Sequence, residues 1–324
     1  MIRPMVVMAG ALLVMLQLFA GAGAQQPAVP AIPEQVTGRI DKHFADFMTK
    51  EHIPGAVWAI VKDGRIVYFG HAGIADTKGG RQIDGDTIFR IASMSKAFTA
   101  LAILKLRDEG RLSLDRAAET YVPEMKGWVY PTTDSPRLRV RDLLSHVAGF
   151  VTDDPWGDRQ QDLSEADFTT LLKQGVAFNS APQTAFEYSN LGYALLGRII
   201  TNVSGRPFDD YITAEIAKPL GMNATGYDIF AAPQDMRALG YRWENDGYVA
   251  EPTLGRGVFG AMGGVYTTAN DYAKWVAFLL DAWPPRNGKE VGPVRRSTLR
   301  ELSQGLDFPR RSKRPGLEGR AACD

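Results

Sequence analysis

The chain has 324 residues, 45% hydrophobic and 23% charged, an ordinary globular composition that excludes disorder, collagen and coiled coil. Its 37 Lys/Arg balance 37 Asp/Glu, so no charge field argues for nucleic acid or for a cationic partner. A single cysteine, Cys323, excludes an intramolecular disulfide, and four scattered histidines show no metal-ligand spacing.

In chain order, Arg3, an uncharged apolar run over Met5–Phe19 and the small-x-small site Ala22-Gly23-Ala24 predict a signal peptide over 1–24. The run is shorter than the ~20 residues of a bilayer span, so an exported, periplasmic protein with no membrane span is expected. Residues 25–33, with three prolines, read as an extended linker. The remainder, 34–324, divides into an N-terminal helix and hairpin (34–85), a mainly helical part (86–284) and a tail (285–324). Val36, Ile40, Phe44 and Phe47 recur at helical spacing and predict an amphipathic helix over Glu34–Lys50. Ala56–Lys62 and Arg65–Gly70 are β-rich and flank Asp63-Gly64, a strong hairpin signal.

Beyond Asp86, Ala97–Glu109 is apolar nearly all round and stops at Gly110, which predicts a buried helix with a glycine cap. Ser164…Asp167 and Thr268…Asp271 have capping-box spacing with Asp in place of Glu. Leu191–Val203 reads as a helix closed by Gly205, and Asn245-Asp246-Gly247 as a hairpin turn.

The chemistry centres on Ser93-Met94-Ser95-Lys96 at the start of the buried helix. Spacing of three residues puts hydroxyl and amine on one helix face, close enough to share a proton. A serine there also offers its own backbone N–H to a developing oxyanion. A lysine in apolar surroundings is pushed toward neutrality and can take the serine proton. Tyr188-Ser189-Asn190 stands 95 residues after the serine, at the edge of the Leu191 helix. Its phenol can ionise or relay a proton beside a cation, and its amide can orient the lysine or bind a substrate carbonyl. Ser/Lys/Tyr chemistry carries its own acid and base, so no metal or organic cofactor is expected.

With these motifs the sequence resembles the serine β-lactamase-like hydrolases, in the branch of class C β-lactamases, D-alanyl-D-alanine carboxypeptidases and related esterases. The resemblance runs from about Glu34 to Leu302 and includes the Asp63-Gly64 hairpin, Phe89–Lys96, Asp142–Gly149, Phe186–Leu195 and Gly260–Tyr266. It implies Ser93 as the acylated nucleophile, Lys96 as its activator, Tyr188 as general base for one half-reaction and Asn190 as a contact to the substrate amide. It also implies an α/β fold of the penicillin-binding-protein type, an antiparallel sheet built from both chain ends with a helical domain inserted between them. The expected function is acyl transfer through a Ser93 acyl-enzyme on an ester, a β-lactam or a D-amino-acid peptide. A penicillin-binding sensor that acylates without turnover, and an inactive remnant, are the alternatives.

The family's third element, a Lys/His-x-Gly on a strand, has no match after Asn190; His71-Ala72-Gly73, Lys78-Gly79-Gly80 and Lys173-Gln174-Gly175 all precede Tyr188. By the resemblance the C-terminal strands of the family sheet are expected to be missing from this sequence, and a chain ending at Asp324 is expected to fold poorly and to be nearly inactive. The stretch 285–324 carries ten Lys/Arg against five Asp/Glu and reads as a solvated loop. His146 reads as a buried structural histidine bonded to backbone, since no Gly-x-Ser-x-Gly elbow supplies a serine for a triad with Asp142. Gly263-Gly264 either allows close backbone approach near the cleft or forms a plain turn, and Trp156 either lines the substrate entrance or covers the core.

Overall fold

The computed structural model describes residues 32–153 and 156–304. The expected signal peptide, most of the linker, Cys323 and the tail beyond 304 lie outside the described residues, as does the side chain of Trp156.

Helix α1 spans Glu34–Lys50 as the apolar spacing predicts. Its stripe is only partly covered. Phe44 stacks on Trp58 with ring centroids 4.5 Å apart and Met48 is buried, while Val36 and Phe47 remain exposed. The hairpin follows: β1 (Gly55–Lys62) and β2 (Arg65–Gly73) pair antiparallel from Gly55 opposite Gly73 to Lys62 opposite Arg65, with a bulge at Ile60/Val61. Asp63 and Gly64 both have positive φ, 49° and 76°, as a tight primed turn requires. Gly70 faces Trp58, and a Cβ there would fall 2.2 Å from the indole nitrogen. The bare glycine lets the indole lie across β2 and donate to Asp41 of α1 at 3.0 Å. The Tyr68 hydroxyl donates to the same carboxylate, so one half-buried acid ties the helix to both strands.

Strand β3 (Phe89–Arg90) leads through a 3-10 turn, Ala92–Ser95, directly into α2 (Lys96–Asp108). The glycine cap is as expected, with Gly110 at φ 72°. The middle of the chain supplies α3 (Val140–Leu144), α4 (Trp156–Arg159), α5 (Glu165–Gln174), α6 (Asn190–Ser204) and α7 (Phe208–Ile212). A second hairpin, β4 (Tyr241–Glu244) and β5 (Gly247–Ala250), turns on Asn245 and Asp246, both at positive φ. The described chain closes with α8 (Gly260–Gly263), β6 (Tyr266–Thr267), α9 (Ala269–Leu280) and α10 (Arg296–Leu302).

Helices α2 and α6 form the centre of the core. Leu101, Ile103 and Leu106 of α2 and Leu195, Leu196, Ile199 and Ile200 of α6 are fully buried in one cluster. α6 is closed by Gly205 in the left-handed region, as the sequence predicts. Both predicted helix starts are capped: Ser164 Oγ accepts from Asp167 N–H and Thr268 Oγ1 from Asp271 N–H, each at 3.1 Å. β3 pairs antiparallel with β6, Phe89 opposite Thr267 and Arg90 opposite Tyr266. This short ladder brings the segment before Ser93 against the segment after Gly264, two stretches some 170 residues apart in sequence.

α9 packs against the hairpin. Between them runs a cavity of about 350 Å³ lined by Val57, Ala59 and Val61 of β1, by Ile91 and Met94 on either side of Ser93, and by Tyr272 and Val276 of α9. Among the described residues β1 pairs with β2 alone.

Candidate active site

Ser93 lies in the 3-10 turn and is exposed, whereas Lys96 at the first position of α2 is buried. Lys96 Nζ donates to Ser93 Oγ at 3.1 Å, to Asn190 Oδ1 at 2.8 Å and to the Met262 carbonyl at 3.0 Å. Apolar surroundings are expected around this amine from the sequence; the structure places three oxygens within hydrogen-bond distance of it. The Tyr188 hydroxyl donates to Ser93 Oγ at 2.8 Å, and Lys96 Nζ stands 4.8 Å from the centre of the Tyr188 ring. All four predicted site residues therefore meet.

Tyr188 is held by its neighbours in sequence. The N–H of Glu187 donates to the His146 carbonyl at 2.8 Å and that of Ser189 donates to His146 Nδ1 at 3.2 Å. The imidazole then lies over the Tyr188 ring with centroids 4.6 Å apart. His146 is thus bonded to backbone, as expected, and its place against the phenol adds an orienting role. Burial, and secondarily the Lys96 charge, lowers its pKa to about 4. The Asp142 carboxylate accepts from Arg139 and Gln183.

Asn190 is buried at the first turn of α6 with its Oδ1 on Lys96. Of the two roles open to its amide in the sequence, the structure displays the lysine-orienting one. Gly157 packs directly on it: a Cβ at that position would lie 2.6 Å from Asn190 Cβ and 2.7 Å from Nδ2.

Three further bonds fasten the Ile91–Thr99 stretch around Ser93 to the Gly260–Val265 segment. Thr99 Oγ1 donates to the Ala261 carbonyl at 2.6 Å, Val265 N–H donates to Ser95 Oγ at 3.0 Å, and Ile91 N–H donates to the Val265 carbonyl at 3.0 Å. Gly264 packs on the backbone of Gly260, where a Cβ would fall 2.7 Å from its Cα, while Gly263 faces Ala92 at ordinary contact distance. The Gly264 contact lies within the turn that ends the Gly260–Gly263 helix, where Gly264 N–H donates to the Gly260 carbonyl at 2.8 Å. Ala92, immediately before Ser93, has φ 44°, a left-handed conformation that an L-residue adopts only under constraint.

Two contributors escape a reading by letters. The Met262 carbonyl is a backbone acceptor and carries no sequence signal. Asp153, 37 residues before Asn190, accepts from the N–H groups of Asn190 and Leu191 at 2.7 and 2.6 Å; only the bare start of α6 could have hinted at such a partner. Among the described residues no group of three or more His, Cys, Asp or Glu is placed to hold a metal ion, and no helix is long and apolar enough to cross a membrane.

Known proteins share this arrangement of sequence and fold. The chain is 31% identical over 261 residues to protein flp of Staphylococcus aureus (strain N315), covering 78% of this chain and 50% of that protein. It is 29% identical over 211 residues to esterase EstB of Burkholderia gladioli, covering 61% and 53%. The chain therefore spans about half the length of these relatives. Its fold superposes on the octameric penicillin-binding protein homologue from Pyrococcus abyssi with a TM-score of 0.69 at 26% identity, covering 82% of this chain and 59% of that one. The D-alanine carboxypeptidase AmpC from Burkholderia cenocepacia gives 0.65 at 25% identity, covering 83% and 68%. The β-lactamase family profile matches residues 40–319, nearly all of the region that carries the serine, lysine and tyrosine, and the chain belongs to that family.

Proposed function

We propose that the protein is a serine hydrolase that transfers acyl groups through a Ser93 acyl-enzyme, on an ester, a β-lactam or a D-amino-acid peptide. The observation that carries this reading is the proximity of an exposed Ser93 Oγ to Lys96 Nζ and the Tyr188 hydroxyl, 3.1 and 2.8 Å away. Both groups donate to Oγ in the resting arrangement, so one of them must become the acceptor before the oxygen can attack. Lys96 as free amine, or Tyr188 as phenolate beside the lysine charge, takes the Oγ proton as the Oγ–C bond forms. The proton then passes to the departing alkoxide or amine as the acyl–heteroatom bond breaks. Water repeats the sequence on the acyl-enzyme: its proton goes to the same base, the Oγ–C bond breaks and Ser93 recovers its hydrogen. Ser93 stands in the first turn of the helical run, where backbone N–H groups have no intrahelical acceptor, and its own N–H supports an oxyanion.

The relatives support the chemistry at this level. One is named an esterase and one structural neighbour a D-alanine carboxypeptidase. The test compares hydrolysis of an activated aryl ester, a chromogenic cephalosporin and a D-alanyl-D-alanine peptide by wild type, Ser93→Ala, Lys96→Ala and Tyr188→Phe. Ser93→Ala is expected to lose at least ~10³-fold in kcat/KM on whichever substrate turns over. A Ser93→Ala protein as active as wild type would remove the reading. One equivalent of covalent label on Ser93 without turnover would instead identify the acylating sensor.

A further inference from the structure

The start of α6 is capped twice. Ser189 Oγ accepts from the Gly192 N–H at 3.3 Å, an ordinary N-cap bond from within the helix. Asp153 lies outside the helix and divides its carboxylate between the N–H groups of two successive residues, Oδ1 to Asn190 and Oδ2 to Leu191. The Asp153 carbonyl in turn accepts from Gly157 N–H at 2.6 Å, and Gly157 is the residue whose bare Cα abuts the Asn190 side chain. Asn190 is thereby fixed on two sides, through its backbone by Asp153 and through its side chain by Gly157. The remaining side is the bond to Lys96 Nζ at 2.8 Å.

We infer that Asp153 is a positioning residue of the acyl-transfer site: it sets the first turn of α6 so that the Asn190 amide oxygen holds the Lys96 ammonium within reach of Ser93. The inference rests on the serine–lysine reading above. A capping hydroxyl can satisfy one donor, but a carboxylate shared between two adjacent N–H groups fixes the direction of the helix start as well as its hydrogen bonding. Its charge also complements the positive end of the α6 dipole, so the bonds are strong enough to resist the pull of the neighbouring lysine. A displacement of the order of 1 Å in a group that orients the reacting atoms costs up to about 10²-fold in rate.

The experiment measures the second-order rate of Ser93 labelling by a fluorophosphonate, in which Oγ–P forms, P–F breaks, fluoride leaves and the Oγ proton passes to the site base. It compares wild type, Asp153→Ala, Asp153→Asn, Ser189→Ala and Lys96→Ala, with melting temperature and amide hydrogen exchange at Asn190 and Leu191 recorded for each. Asp153→Ala is expected to lose protection at both amides and to label about 10- to 100-fold more slowly. Asp153→Asn, which keeps one strong acceptor, should recover part of that rate. Ser189→Ala, which weakens the same helix end without touching the Asn190 N–H, should label within about 3-fold of wild type even where its melting temperature falls as far. Wild-type labelling in Asp153→Ala despite lost protection overturns the inference, and so does an equal loss in Ser189→Ala. If Asp153→Ala fails to fold, Asp153→Asn decides: a labelling rate equal to wild type with altered exchange at Asn190 overturns it, a slowed rate supports it. Undiminished labelling in Lys96→Ala would point elsewhere, to failure of the serine–lysine reading itself.

Discussion

His146 occupies the left-handed region at φ 56° and presents a neutral ring nitrogen to the Ser189 N–H. Its folded pKa of about 4 lies below the ordinary value of 6.5, so the unfolded chain binds more protons between these values. Stability from this group is complete above pH ~6.5 and falls as the pH drops toward 4, by on the order of 2–3 kcal/mol. His146→Asn keeps an acceptor near the Nδ1 position and suits the left-handed backbone. Urea titrations of this variant at pH 4 to 7 are expected to show a flatter acid limb than wild type. Ala92 is the complementary case, a strained residue with no polar role. Ala92→Gly should stabilise the fold by about 1 kcal/mol and slow Ser93 labelling several-fold, because the constraint that presents the serine is relaxed; a slowed rate without added stability would mean the left-handed angle carries no strain. At this scale Ser93, Lys96, Tyr188 and Asn190 were all legible, because each is a side chain of distinctive chemistry at a short fixed spacing. Met262 and Asp153 were not: one acts through a carbonyl every residue possesses, the other through a bond whose partner is set only by tertiary folding.

The elements most readable in sequence are those closed by local signals. α1, the Asp63-Gly64 hairpin, the Gly110 and Gly205 caps and the Asn245 turn all follow from neighbouring residues. The two-residue ladder of β3 with β6 leaves no such trace, since two residues display no period and the partner lies far along the chain. Yet that seam decides where Ser93 and α2 sit. Ser95 and Thr99 are fully buried on it, each bonded to a backbone group of the Gly260–Val265 segment. Ser95→Ala leaves the Val265 N–H without its acceptor and should cost about 1–3 kcal/mol. Thr99→Val, which leaves the Ala261 carbonyl without its hydroxyl donor, is expected to cost a similar amount. Because both bonds hold one seam, the double variant should be less destabilised than the two single losses combined. Equilibrium unfolding of the three proteins gives the coupling directly, and strict additivity would show that the two bonds act separately.

Across the molecule, the mixed architecture of hairpin and helical body was readable from composition and pattern. The placement of the cavity along β1 was not, since it depends on how α9 lies against the sheet. What the whole fold accomplishes is to gather the environment of one amine. Lys96 takes its acceptors from Ser93, Asn190 and Met262, which lie on three stretches of chain up to 169 residues apart. No single helix or hairpin can form that cluster by itself. Helix content, by contrast, can return through local contacts alone. After dilution from denaturant, the far-ultraviolet signal should therefore recover ahead of Ser93 reactivity, and a simultaneous return of both would show that the helices form only as their distant contacts do. The lysine's company thus turns chemical competence into a clock for the last step of assembly.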